Sequence, residues 1–121
     1  MKALVVKAVN DYSIEDVTLD PPKAGELKVK MKATGVCHSD LSVINGTLPL
    51  ATPCVVGHEG AGIVEEVGEG VTNIAVGDHV VLSFVPVCGE CNECHHQRPQ
   101  FCTIGQPHGK MIDGTARVHL D

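Results

Sequence analysis

Tryptophan is absent, and the only other aromatic residues are Tyr12, Phe84 and Phe101. Apolar burial must therefore come from small aliphatic side chains, eighteen valines foremost. Positive charge is also short: nine Lys and Arg stand against fifteen Asp and Glu, for a formal charge of −6. That balance argues against a nucleic-acid backbone as the main partner. No apolar run approaches membrane-spanning length, and no membrane partner is expected. The opening "MKALVVKAVN" is too short in its apolar part, and lacks the small-residue cleavage pattern, to be a signal peptide. There is no internal repeat, linker or low-complexity segment. The expected setting is a reducing cytoplasm, where disulfides are disfavoured and clustered cysteines bind metal.

What is present reads as short strands. Thirteen glycines and seven prolines punctuate a valine-rich chain, a pattern of strands and tight turns. "KALVVKAV" opens as a strand and "YSIEDVTL" continues extended. In "ELKVKMKA", Leu27, Val29, Met31 and Ala33 alternate with Lys28, Lys30 and Lys32, which predicts a strand with one buried face. "SDLSVING" predicts about two helical turns, capped by Ser39 or Asp40 and ended by Gly46. "AGIVEEVGEGV" and "VGDHVVLSF" add strands joined by glycine turns, and "DGTARVHLD" begins another. The fold class is mainly all-β: a small, partly open barrel with a long loop inserted after residue 87 and one short helix.

That loop, "CGECNECHHQRPQFC", places Cys88, Cys91, Cys94 and Cys102 at the spacing C-x2-C-x2-C-x7-C. Thiolates three residues apart on a turn converge on one point, and four satisfy tetrahedral zinc without an open position. Such a site shapes a loop and activates no water. The alternatives are disulfides or loose surface thiols, against which the setting and the two successive two-residue gaps both argue. A thioredoxin-like redox pair lacks its βαβ surroundings. His95 and His96 lie inside the loop and read as exposed polar residues. Two further residues have ligand chemistry, Cys37 in "GVCHSD" and His58 in "VVGHEG". Taken alone, a cysteine and a histidine twenty-one positions apart read more readily as a buried thiol and a satisfied core histidine.

The segments "GVCHSDL", "GHEGAGIVEEVGEGV", "GDHVVLSF", the cysteine loop and "DGTARV" follow one another in an order that resembles the medium-chain, zinc-dependent alcohol dehydrogenases. The resemblance spans nearly the whole chain and implies the N-terminal part of a GroES-like catalytic domain over residues 1–121. It implies a structural zinc on Cys88, Cys91, Cys94 and Cys102. It also implies a catalytic zinc held by Cys37, His58 and a second cysteine much later in the chain, the Cys2His set of alcohol dehydrogenases. There, zinc polarises the oxygen of an alcohol whose hydride passes to NAD. By the same matching, Ser39 bonds the substrate oxygen, Asp40 orients His58, and Glu59 lies behind the metal and tunes or joins its coordination. His38 meets the cofactor pyrophosphate, and Leu48 and Phe84 line the substrate pocket. Where some relatives end the proton relay in a histidine, this chain has Ser42, which is no base near neutral pH. Cys54 matches no ligand position.

The resemblance also implies what this chain lacks. The third catalytic ligand and the Rossmann NAD-binding domain are expected beyond residue 121. The nearest approaches to G-x-G-x-x-G are "GEGVTN", with Asn73 in the third glycine's place, and "GAGIVE", with Glu65. Alone, the chain is expected not to turn over alcohol. The implied parent is a homo-oligomer acting on a small alcohol or aldehyde. The stretch after Cys102 also resembles enzymes that oxidise hydroxymethyl adducts of small thiols. A stand-alone zinc module binding a protein partner is the rival, and "CHSD" and "GHE" count against it.

Overall fold

The computed structural model describes residues 1–105 and 110–121. Its elements run β1 (Lys2–Ala8), β2 (Asp11–Leu19), β3 (Leu27–Thr34), α1 (His38–Ile44), β4 (Cys54–Val55), β5 (Gly60–Val67), β6 (His79–Val81), α2 (Asn92–His95) and β7 (Val118–Leu120), with a 3-10 turn at Pro99–Phe101. The strands form two antiparallel sheets, ordered β4-β1-β2-β7 and β3-β5-β6. The mainly β, curled, partly open architecture agrees with the expectation from sequence.

β1 and β2 make a hairpin in register Leu4↔Ile14, and Asn10 takes the left-handed conformation at its turn (φ 62). Among the described residues the buried apolar side chains are Val5, Val6 and Val17 of the hairpin, Val43 of α1, Val64 of β5 and Cys102 of the cysteine loop. β-branched side chains fit such a pleated surface well. Above Val5, Val17 and Leu19 lies an open cavity of about 740 Å³, walled by Val55, Cys54 and Leu120 among others. None of the candidate metal ligands lines it. Among the described residues, no helix is long and apolar enough to cross a membrane.

Two sequence expectations are corrected. The strict alternation of β3 does not give one buried face: Met31 and Ala33 are exposed, as are Lys30 and Lys32. Leu27, Lys28 and Val29 are all half-buried, and the register against β5 shifts at Lys28/Val29 and Met31/Ala33, so the strand keeps no single inward face. The helix cap also lies two or three residues earlier than expected. Cys37, extended at φ −110 and ψ 154, is the N-cap of α1, and the Asp40 carboxylate reaches back to it from the third helical position. Neither Ser39 nor Asp40 is the cap, while Gly46, at φ 81, follows the C-cap Asn45.

An ion cluster ties the chain's later part to β3. Arg117, 7% exposed, donates from Nε and Nη2 to both oxygens of Glu26 at 3.0 and 2.6 Å, and from Nη2 to Asp113 at 2.7 Å. The Arg117 bonds hold the Glu26 carboxyl below its usual value, and Asp113 is held down first by the Thr115 hydroxyl, which donates to Oδ1 at 2.6 Å, and then by Arg117. The bidentate fork is the geometry for which a guanidinium is suited.

Candidate metal centres

The four cysteines of the long loop converge. Sγ of Cys91 lies 3.5 Å from that of Cys94 and 3.9 Å from that of Cys102, and Cys88 Sγ lies 3.9 Å from Cys94 Sγ. All four sulfurs fall within 4.8 Å of one another. A zinc tetrahedron with metal–sulfur bonds of about 2.3 Å has sulfur–sulfur edges of about 3.8 Å. The separations are thus those of a four-thiolate zinc site and well beyond the roughly 2.05 Å of a disulfide.

Local backbone explains the convergence. Gly89, at φ 77, turns the chain so that the Glu90 and Cys91 amides donate to Cys88 Sγ at 3.4 and 3.3 Å. The Cys88 and Gly105 amides donate to Cys102 Sγ at 3.4 and 3.3 Å. Gly105 permits this approach because a Cβ there would stand 2.1 Å from the Pro86 carbonyl oxygen. Amides aimed at sulfur favour thiolate, and the amides of Cys94 and Thr103 hold the Cys91 thiol down at about 6. Burial instead pushes Cys94 up to about 12. Four crowded sulfurs do not all ionise without a cation between them, and a divalent cation supplies that charge. The donor set fits zinc. His95 and His96 are exposed; His96 Nδ1 lies 2.7 Å from the Asn92 carbonyl, in α2's own backbone.

A second group forms where α1 begins and β5 is entered. β3 pairs with β5 through Thr34↔Gly60, which sets the chain after β3 beside the chain before β5. The Gly35 amide and the Thr34 hydroxyl both donate to the Glu59 carbonyl, at 3.1 and 2.9 Å. Cys37, His58 and Glu59 thereby each bring one ligand atom within 4.8 Å of the others. Glu59 Oε2 occupies the space a Cβ on residue 35 would fill, only 2.0 Å from it. Thr34 and Gly35 are neighbours of this group that the sequence reading missed; the glycine two residues ahead of Cys37 was the available signal.

Asp40 is 9% exposed and serves two partners. Its Oδ2 accepts the Cys37 amide at 3.0 Å, and its Oδ1 lies 3.3 Å from His58 Nδ1. The carboxylate assigns Nδ1–H to the imidazole. The Nε2 lone pair is then left toward Cys37, toward Ser39 Oγ at 3.4 Å and toward Glu59 Oε1 at 3.9 Å. Ser39 first, and His58 after it, hold the Cys37 thiol below its usual value. The Cys37 sulfur, with Asp40 behind it, raises His58. The three donors suit a borderline-soft cation with room for an exchangeable ligand.

The remaining sequence-predicted residues are less closely held. Phe84, 69% exposed, sets its ring edge-on to His58 with centroids 6.1 Å apart. His38 is exposed in the first turn of α1, its Nδ1 3.4 Å from Ser42 Oγ. Leu48 is exposed beyond α1, its amide donating to the Ser42 carbonyl. Cys54 is half-buried on β4, and burial raises its thiol. Residues 106–109, inside the stretch that resembles the thiol-adduct enzymes, lie outside the described residues.

Comparison with known proteins adds independent findings. The model of the alcohol dehydrogenase GroES-like domain matches residues 23–119. An S-(hydroxymethyl)glutathione dehydrogenase of Candida maltosa is 48% identical over 95% of this chain and 31% of its own length. The crystal structure of an alcohol dehydrogenase zinc-binding domain protein from Burkholderia ambifaria superposes with a TM-score of 0.89 at 37% identity, covering 98% of this chain and 33% of that one. Benzyl alcohol dehydrogenase from Acinetobacter calcoaceticus gives 0.88 at 35% identity, over 99% and 34%. The chain thus spans about a third of the length of these relatives.

Proposed function

Because the chain belongs to the alcohol dehydrogenase GroES-like domain family, we propose that it is the zinc-holding catalytic part of an NAD-dependent alcohol dehydrogenase. Cys88, Cys91, Cys94 and Cys102 hold a structural zinc, and Cys37 and His58, with Glu59 at hand, contribute to a catalytic one. The observation that carries this reading is the single Asp40 carboxylate bonded both to the Cys37 amide and to the His58 ring. A satisfied core histidine has no need of a thiol, a hydroxyl and a second carboxylate gathered at its other nitrogen.

Zinc at this centre, when bound, supplies Lewis-acid stabilisation of a substrate oxygen as its proton leaves. The chain's own groups do the rest. Asp40 fixes the imidazole tautomer and ring plane, so that Nε2 faces the centre. Ser39, beside Nε2, accepts the hydrogen bond of an entering alcohol and hands a proton outward. Phe84 stands edge-on to the imidazole and offers an apolar surface to an entering substrate. His38, at the exposed start of α1, offers its ring to a dinucleotide phosphate, while Ser42 orients that ring from the next turn.

Two substrate classes suit this machinery. Primary alcohols are one, as the name of the Acinetobacter relative indicates for that enzyme. Hydroxymethyl adducts of small thiols are the other, favoured by the 48% identity to the Candida enzyme. The test is NAD reduction by this domain joined to a dinucleotide-binding domain, offered benzyl alcohol or S-(hydroxymethyl)glutathione in turn. Activity with either that is abolished by Cys37→Ser supports the reading, and the ratio of kcat/KM values assigns the class. Full activity retained in Cys37→Ser would refute it.

A further inference from the structure

A glycine beside a site is needed either for its backbone angles or for its missing side chain, and Gly35 is of the second kind. Its φ lies outside the left-handed region, so its backbone suits any residue. What a side chain there would meet is Glu59. A Cβ on residue 35 would overlap the carboxylate oxygen Oε2 and stand 3.2 Å from both Cβ and Cδ of Glu59. The three atoms nearest to it all belong to that one side chain, and none is backbone.

The main chain of Glu59 is held from the same side. Its carbonyl accepts the Gly35 amide at 3.1 Å and the Thr34 hydroxyl at 2.9 Å, and the next residue, Gly60, pairs with Thr34 in the sheet. With the backbone fixed, side-chain torsions alone decide where the carboxylate goes. Oε2 is folded back against Gly35, and Oε1 lies 3.9 Å from His58 Nε2. One ligand atom of Glu59 thereby stays within 4.8 Å of those of Cys37 and His58. The Glu59 side chain is 49% exposed, so rotamers that point into water compete with this one.

We propose that Gly35 is a positioning residue for the Cys37/His58 centre: the notch left by its missing side chain lets the Glu59 carboxylate fold back within reach of a bound metal. This rests on the reading that Cys37 and His58 contribute to holding one. Gly35 touches no metal and attracts nothing; it leaves room. A methyl group at position 35 closes that rotamer and sends the carboxylate toward water. Both hydrogen bonds to the Glu59 carbonyl survive, because alanine keeps the amide.

The experiment titrates cobalt into the chain after its cysteine loop has been filled with one equivalent of zinc. Parent, Gly35→Ala, Glu59→Ala and the double variant are compared, with Cys37→Ser to mark the centre. Affinity is read from cobalt absorption against a competing chelator, and circular dichroism reports the fold. Gly35→Ala is expected to keep the fold and lower the affinity by roughly 10–100-fold. Glu59→Ala is expected to match it, and the double variant to lose no more than either alone, since both changes remove one carboxylate. Unchanged or tighter binding in Gly35→Ala, additive losses in the double variant, or loss of the fold would overturn the proposal while leaving Cys37 and His58 as the centre. Cobalt binding that survives Cys37→Ser, or that the parent lacks, would overturn that reading and this inference together.

Discussion

At the scale of single residues, Asp40 is the position on which most depends. One carboxylate serves as the return bond of the α1 capping box and as the orienter of His58, and it is buried while doing so. An amide in its place keeps the volume but presents N–H where one of those donors needs an acceptor. Asp40→Asn is therefore expected to weaken metal binding at the Cys37/His58 centre by roughly 10–100-fold. Cobalt titration against a competing chelator would measure this, with the four-thiolate site unchanged as the internal control; an unaltered cobalt affinity would refute the role. The bond from Asp40 to His58 was foreseen through resemblance. Its bond to the Cys37 amide was not, because a cysteine at an N-cap is not a usual cap and Ser39 drew the assignment.

At the scale of elements, the loops depend on glycines that let backbone approach backbone. A Cβ on Gly68 would meet the Lys23 carbonyl oxygen at 1.8 Å, and the Gly68 amide donates to the Glu26 carbonyl at 2.7 Å. This packing is why "GEGVTN" is a turn after β5. Gly68→Ala is expected to cost about 1–3 kcal/mol, read as a lower urea midpoint. Gly105→Ala acts on chemistry instead: its Cβ must push Pro86 away and draw the residue 105 amide off Cys102 Sγ. The expected result is faster zinc loss to chelator with both β sheets intact by circular dichroism; zinc retention equal to the parent would count against the role given to that amide. The cysteine spacing made the four-sulfur cluster legible, since i, i+3 turns converge whatever surrounds them. The face of β3 was misread because bulges are set by pairing with β5, and alternation within one strand carries no record of its partner.

At the scale of the whole molecule, Arg117 joins the segment after the cysteine loop to the start of β3, a contact that no local pattern announces. A lone arginine in "DGTARV" looks like a surface charge until the fold sets Glu26 beside it. Glu26 and Asp113 have folded-state values below their ordinary 4.5 and 3.8. The unfolded chain therefore takes up protons first as pH falls, and the cluster's contribution, complete above about pH 5, is lost progressively below that. Urea midpoints are expected to fall between roughly pH 5 and pH 3, and Arg117→Met to flatten that part of the curve. An unchanged slope in the variant would show that other carboxylates govern acid stability. The mainly β, partly open architecture was legible from valine content and glycine turns, since both report local backbone preference, whereas the pairing of the strands into two sheets is set by long-range contacts. The ion cluster was not legible, being a contact ninety-one residues apart in the chain. The most direct test of the central claim is the zinc X-ray absorption spectrum of the chain loaded with one equivalent of the metal. Four sulfur neighbours at about 2.3 Å are expected. A shell dominated by nitrogen or oxygen would mean that Cys88, Cys91, Cys94 and Cys102 are not the chain's primary metal centre.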